Sequence, residues 1–137
     1  MEFLYTLHAH FRWIVVLVSL LALGKHLAGW LGKAAFKKPD RLLIKIYGGV
    51  VDLQVTLGLI YLLWSGFSGT GFPRFRLEHS FIMIIVAVLA HLFNRWKNAE
   101  DLIRFRNGFV LLLVSLVLIF AGVLMLPNGL QRWMNLP

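Results

Sequence analysis

The 137-residue chain contains no cysteine. Disulfides, thiolate nucleophiles, Cys-ligated zinc and iron–sulfur clusters are therefore excluded. Acidic residues are scarce too: six Asp and Glu stand against fourteen Lys and Arg, a formal charge of +8. The remaining polar residues do not compose a hydrolytic site. No nucleophile–base–acid set, Gly-rich phosphate loop or His-x-x-x-His zinc pair occurs. "GFSGTG" at Gly66–Gly71 resembles a serine-nucleophile turn but lacks the strand–turn–helix setting that motif needs, so it reads as a flexible loop. Independent catalytic activity is not expected. Internal repeats, heptad runs and low-complexity tails are also missing.

What is present is apolar. The chain is 59% hydrophobic, with a mean hydropathy of +0.77, whereas soluble domains sit near 45–50%. At this length the whole chain, 1–137, is expected to form a single transmembrane domain. A helix crossing the hydrocarbon core needs about 20 mostly apolar residues. Four segments qualify, at about residues 4–24, 46–64, 78–94 and 108–126. The third is dry only from Phe81 to Phe93, which puts Glu78, His79 and Asn94 at headgroup level. The fourth has an uncharged core from Phe109 to Leu126 and ends at Pro127. Trp13, Trp30, Trp64, Trp96 and Trp133 all fall near span ends, as an interfacial aromatic belt requires. Short connections make neighbouring helices antiparallel, so the expected fold is all-α, an integral membrane up-down-up-down four-helix bundle. "KKPDR" (Lys37–Arg41) marks a break with Pro39 starting a new helix near the membrane surface, and Ser65–Phe75 is a Gly-rich outer loop.

The bases are unevenly placed. Lys25, Lys33, Lys37, Lys38, Arg41 and Lys45 flank the first connection, and Arg95, Lys97, Arg104 and Arg106 flank the third. Arg12, Arg74, Arg76 and Arg132 lie on the other side. The positive-inside rule then places both termini on the non-cytoplasmic side of a bacterial inner membrane. The first span is expected to be retained rather than cleaved, because its leader carries Glu2 and no base before Arg12. Bases confined to loops between apolar spans argue against nucleic acid as a partner.

Ionisable residues inside apolar spans cost about 2.5–3.5 kcal/mol on insertion scales and usually face the bundle interior. Asp52 is the plainest case. It lies seven residues past Lys45, about 10 Å into the second span, with Gln54 two residues on. It reads either as a proton-accepting or quinone-contacting carboxylate, or as a carboxyl hydrogen-bonded to a neighbouring helix. Gly48, Gly49 and Gly58 read as close-packing points between helices. On the first helix His8, Arg12, Ser19 and His26 share one face, while His10 points elsewhere. The third helix runs parallel to the first, so Glu78 and His79 come level with His8 and Arg12, and His91 level with His26.

Two histidine layers follow, and b-type haem is held by imidazoles of this kind on facing helices. Two haems fit poorly, because His79 and His91 are twelve residues apart, about 120° around the helix. One haem on His8 and His79 fits better. The alternative is that all these histidines are interfacial. Arg12 and Glu78, at one level, are expected to pair.

"LHAHFRW" (Leu7–Trp13), "LQVTLGLIYL" (Leu53–Leu62) and "EHSFIMIIVAVLAH" (Glu78–His91) resemble segments of a family of small bacterial four-helix integral membrane proteins loosely labelled cytochrome b. The matching positions are His8, Arg12, Trp13, Gln54, Gly58, Glu78, His79 and His91; His26 and Asp52 fall outside the pattern. The resemblance spans most of the chain and implies a place near membrane electron transfer.

Three functions are compatible with these residues. The first is a small, mainly structural subunit of a respiratory or photosynthetic, quinol-linked electron-transfer complex, packed against larger membrane subunits and lipids and contacting a quinone or lipid. The second is a b-type haem electron carrier using His8 and His79. The third is a small transporter or proton pathway using Asp52, His91 and His26, which a four-helix chain without repeats supports least.

Overall fold

The computed structural model describes residues 1–134, and every regular element among them is helical. Helix α1 spans Glu2–Leu31, α2 Lys38–Ser65, α3 Arg74–His91, α4 Asp101–Leu124 and the short α5 Gly129–Met134. A π-helical turn, Gly66–Thr70, follows α2, and a 3-10 turn, Leu92–Trp96, follows α3. The four long helical stretches are long and apolar enough to cross a membrane.

Helices α1 and α2 outrun the apolar segments read from the sequence at both ends, while α3 and α4 begin earlier than their segments and end two or three residues before them. Hydropathy marks where hydrocarbon would end, whereas a helix ends where its backbone hydrogen bonds lose partners. Helix α2 begins at Lys38, with Pro39 in its first turn where a missing N–H costs nothing. It then runs unbroken through Asp52, so Pro39 opens the second span itself and not a separate surface helix. Asp40 secures this end. Its Oδ2 accepts the Lys37 backbone N–H at 2.8 Å, and its Oδ1 lies 3.4 Å from Lys25 Nζ on α1. Helix α3 starts directly after Pro73, whose fixed φ sets the first turn and whose carbonyl accepts the Arg76 N–H. Helix α4 starts seven residues before its apolar run, with Asp101 at the positive end of the helix dipole.

The helices pack in a ring, α1 against α2 and α4, and α3 against α2 and α4, so α1 and α3 lie across the centre from each other. Specific contacts fix which ends meet. His8 of α1 meets Gly58 near the end of α2, Ser65 of α2 meets Arg76 of α3, and His79 of α3 meets Gly122 near the end of α4. At the opposite end His26 of α1 meets Gly108 of α4.

The core is small and partly polar. Val15, Ala22, Tyr47, Val51, Val86, Ala90, Leu112 and Ile119 form one buried cluster, and Ser19, His26 and Ser115 are fully buried beside it. Large side chains point outward instead: Leu17 is 58% exposed, Phe81 65% and Val117 60%. Water penalises such a surface, but hydrocarbon solvates it as well as a core would. In hydrocarbon, which offers no hydrophobic drive between helices, close backbone approach and interhelical hydrogen bonds would have to hold such a ring. Gly29 sits under Phe105, Gly108 under His26, and Gly122 against Met83, with no room for a β-carbon at any of them. Gly48 and Gly49 face open space, which corrects their reading as packing points, whereas Gly58 does close on a neighbour, His8.

Candidate functional site

A cavity of about 330 Å³ opens between α1, α2, α3 and α4 at the end where α1 and α3 begin. Its walls are mostly aliphatic, and His8, His79, Arg12, Arg76, Arg132 and Gln54 are the polar groups that matter. No Asp or Glu lines it.

The two histidines meet across the ring. Their ring centroids are 6.5 Å apart, with planes at 88°. His8 is held by the close approach of Gly58, where a β-carbon would lie 2.8 Å from its Cε1. Gln54 Nε2 donates to the His8 backbone carbonyl at 3.0 Å, tying α2 to this turn of α1. His79 Nδ1 lies 2.8 Å from the Gly122 carbonyl. A carbonyl only accepts, so Nδ1 carries the proton and Nε2 keeps a free lone pair. That is how ligating histidines are usually oriented by an outer partner.

The imidazoles of His8 and His79 are the side chains of this cavity that would hold a haem iron; their edge-to-face contact at 6.5 Å is slightly wider than the other ring contacts of the bundle, 5.0–6.1 Å. Among the described residues no three His, Cys, Asp or Glu converge as an all-protein metal centre requires. A haem iron takes four ligands from its porphyrin and needs only two from protein.

The other expected groupings are rearranged. Arg12 does not pair with Glu78. Its Nη2 donates to the Arg132 carbonyl at 2.9 Å, and its guanidinium lies 5.3 Å from the Trp13 ring and 5.1 Å from the Trp133 ring. Glu78 pairs with Arg74 one turn back, at 2.6 Å. The reason is α5, an element the sequence reading missed. Asn128 takes a positive φ of 57°, which Asn tolerates. The turn brings Arg132 and Trp133 back over α1 and α4, so Arg12 finds its partners there.

His26 and His91 form no layer. His26 is enclosed by Phe36, Phe93 and Phe105, with centroids 5.6–6.1 Å away, and its Nδ1 donates to the Ala22 carbonyl one turn back. His91 instead reaches α2, its Nε2 3.0 Å from Asp52 Oδ1, and both side chains are about half exposed on the flank of the bundle. Asp52 thus faces outward, contrary to its expected inward orientation. His10 bonds the Thr6 carbonyl on its own helix. Arg132 and Tyr5, which no motif signalled, meet at 2.8 Å beside the cavity.

No protein-family profile, curated protein or solved structure matches this chain.

Proposed function

We propose that the chain crosses a bacterial inner membrane four times as an up-down-up-down bundle, with both termini on the non-cytoplasmic side. In this reading it holds one haem b between His8 and His79 and serves as a small subunit of a quinol-linked electron-transfer complex. The observation that carries it is the pair of half-buried imidazoles 6.5 Å apart in one cavity, with His79 Nδ1 already committed to Gly122. The excess of bases near the first and third connections supports the orientation.

Bound haem would supply one-electron transfer. The chain would hold two imidazoles, that of His79 with its tautomer set by the Gly122 carbonyl, keep water out with aliphatic walls such as Val55, Met83 and Ile119, and position the site near one end of the bundle. Facing helices in a bundle are a recurrent place for such cofactors.

A second reading, a haem-free accessory subunit, is favoured by the bundle's flanks. The Asp52–His91 pair is half exposed on a surface otherwise made of leucine, valine and phenylalanine, and a neighbouring membrane polypeptide would shelter it better than lipid. The proton-pathway reading is weakened, because His26 sits in an aromatic cage while Asp52 and His91 bond each other.

Reduced-minus-oxidised spectra of the detergent-purified protein separate these readings. Soret and α bands that disappear in both His8→Ala and His79→Ala support the haem site. A colourless protein that co-purifies with a large complex overturns it in favour of the accessory subunit.

A further inference from the structure

Three guanidinium groups stand around the cavity, and none has a carboxylate partner among the described residues. Arg12 donates to the Arg132 carbonyl, Arg132 to the Pro127 carbonyl and the Tyr5 hydroxyl, and Arg76 to Ser65 Oγ at 2.9 Å. The four ion pairs of the described residues all lie elsewhere: Lys25–Asp40, Arg74–Glu78, His91–Asp52 and Arg104–Asp101. Aromatic faces orient two of these guanidiniums without neutralising them, Trp13 and Trp133 for Arg12 and Tyr61 for Arg76. Three like charges at the mouth of an apolar cavity repel one another, and an anion placed among them would relieve that repulsion. Guanidinium forks favour oxyanions, which they bind through paired, charge-assisted hydrogen bonds.

We propose that Arg12, Arg76 and Arg132 form a carboxylate-binding rim and that the cavity's ligand is a porphyrin dicarboxylate, its ring among the aliphatic walls and its two carboxylates at the arginines. This deepens the haem reading and rests on it for the identity of the ring. The shared chemistry, an oxyanion on an apolar body, could also come from the phosphate of an anionic lipid, so the test must separate the two. Two of the three arginines, Arg76 and Arg132, lie outside the sequence pattern shared with the resembling family. Only the folded arrangement gathers them.

The test uses the full chain in nanodiscs of neutral phosphatidylcholine. Metal-free protoporphyrin and its dimethyl ester, which lacks the carboxylates, are titrated by fluorescence. The diacid is expected to bind about tenfold more tightly than the ester, as loss of charge-assisted hydrogen bonds requires. Arg76→Gln should remove most of that preference, and Arg76→Lys should restore part of it. Arg76 is the cleanest position because, among the described residues, its side chain hydrogen-bonds Ser65 Oγ alone. Arg132→Gln gives an independent second reading.

Equal affinity for diacid and ester overturns the rim. So does phosphatidylglycerol that stays on the wild-type chain in native mass spectrometry, is lost from Arg76→Gln, and leaves diacid and ester indistinguishable. Failure of the iron site looks different. In that case the diacid preference persists while haem gives the same spectrum with wild type and with His8→Ala.

Discussion

His91 bonds Asp52 across the α2–α3 contact, Nε2 to Oδ1 at 3.0 Å, on the outward flank of the bundle. This pair ties the last turn of α3 to the middle of α2, and neither partner is sheltered by the ring. Interhelical polar pairs in membrane proteins average about 0.6 kcal/mol and reach about 1.7 kcal/mol. A double-mutant cycle with Asp52→Leu and His91→Leu, read by unfolding in detergent, should give a coupling in that range. A coupling of zero would show that the two side chains act independently.

The glycines offer a graded test of packing. Gly58→Ala pushes a β-carbon into His8, and Gly108→Ala pushes one into His26. Overpacking of this kind costs about 1–3 kcal/mol, so both variants should melt earlier than wild type. If the proposed haem is held by His8, Gly58→Ala should also weaken its retention, because His8 must move. Gly48→Ala and Gly49→Ala meet open space and remove a flexible residue from a helix. They should stabilise by about 0.5–1 kcal/mol, the helix-propensity difference. Thermal unfolding of the four variants side by side checks the ordering.

Arg12 should depend on α5 and not on Glu78. Glu78→Gln breaks only an exposed i,i+4 pair with Arg74, worth at most about 0.5 kcal/mol, so its melting temperature should match wild type. Trp133→Ala removes a ring that contacts Arg12, Trp13 and Phe120. Loss of a large aromatic side chain costs about 3 kcal/mol when fully buried, and less here because Trp133 is only partly covered. A larger loss from Glu78→Gln than from Trp133→Ala would reverse this assignment.

The orientation is open to chemical labelling, because the chain has no native cysteine. In intact cells a membrane-impermeant thiol reagent should modify a cysteine placed at Gly69, in the turn after α2, and should spare one at Lys37, in the connection after α1. The opposite pattern would invert the bundle.

Much of the fold was legible in the sequence because transfer into hydrocarbon is a local property. Summed over about 20 residues, it marks a span without any knowledge of neighbours. The start of α2 was likewise readable at Pro39, where a fixed φ acts on the next turn alone, whereas Pro73, which opens α3, was read as part of the outer loop. The level of His8 with His79 followed from helical rise and the parallel sense of α1 and α3.

Which groups touch was a different matter. Arg12 at the level of Glu78 was a fair expectation, yet Arg12 turned to Arg132 and Trp133, because an αL turn at Asn128 folded a terminal helix over α1. Of the two readings open for Asp52, the structure shows the carboxyl bonded to a neighbouring helix, with His91 of α3 meeting it on the outward flank and not in the interior. The sequence by itself determined the four apolar segments and the spacing of the polar residues along each, both functions of local composition and rise. Only the tertiary structure decided that His8 and His79 face each other, that His26 and His91 do not, and that three arginines gather at one cavity. Those outcomes depend on helix rotation and close approach, which spacing along a single chain leaves free.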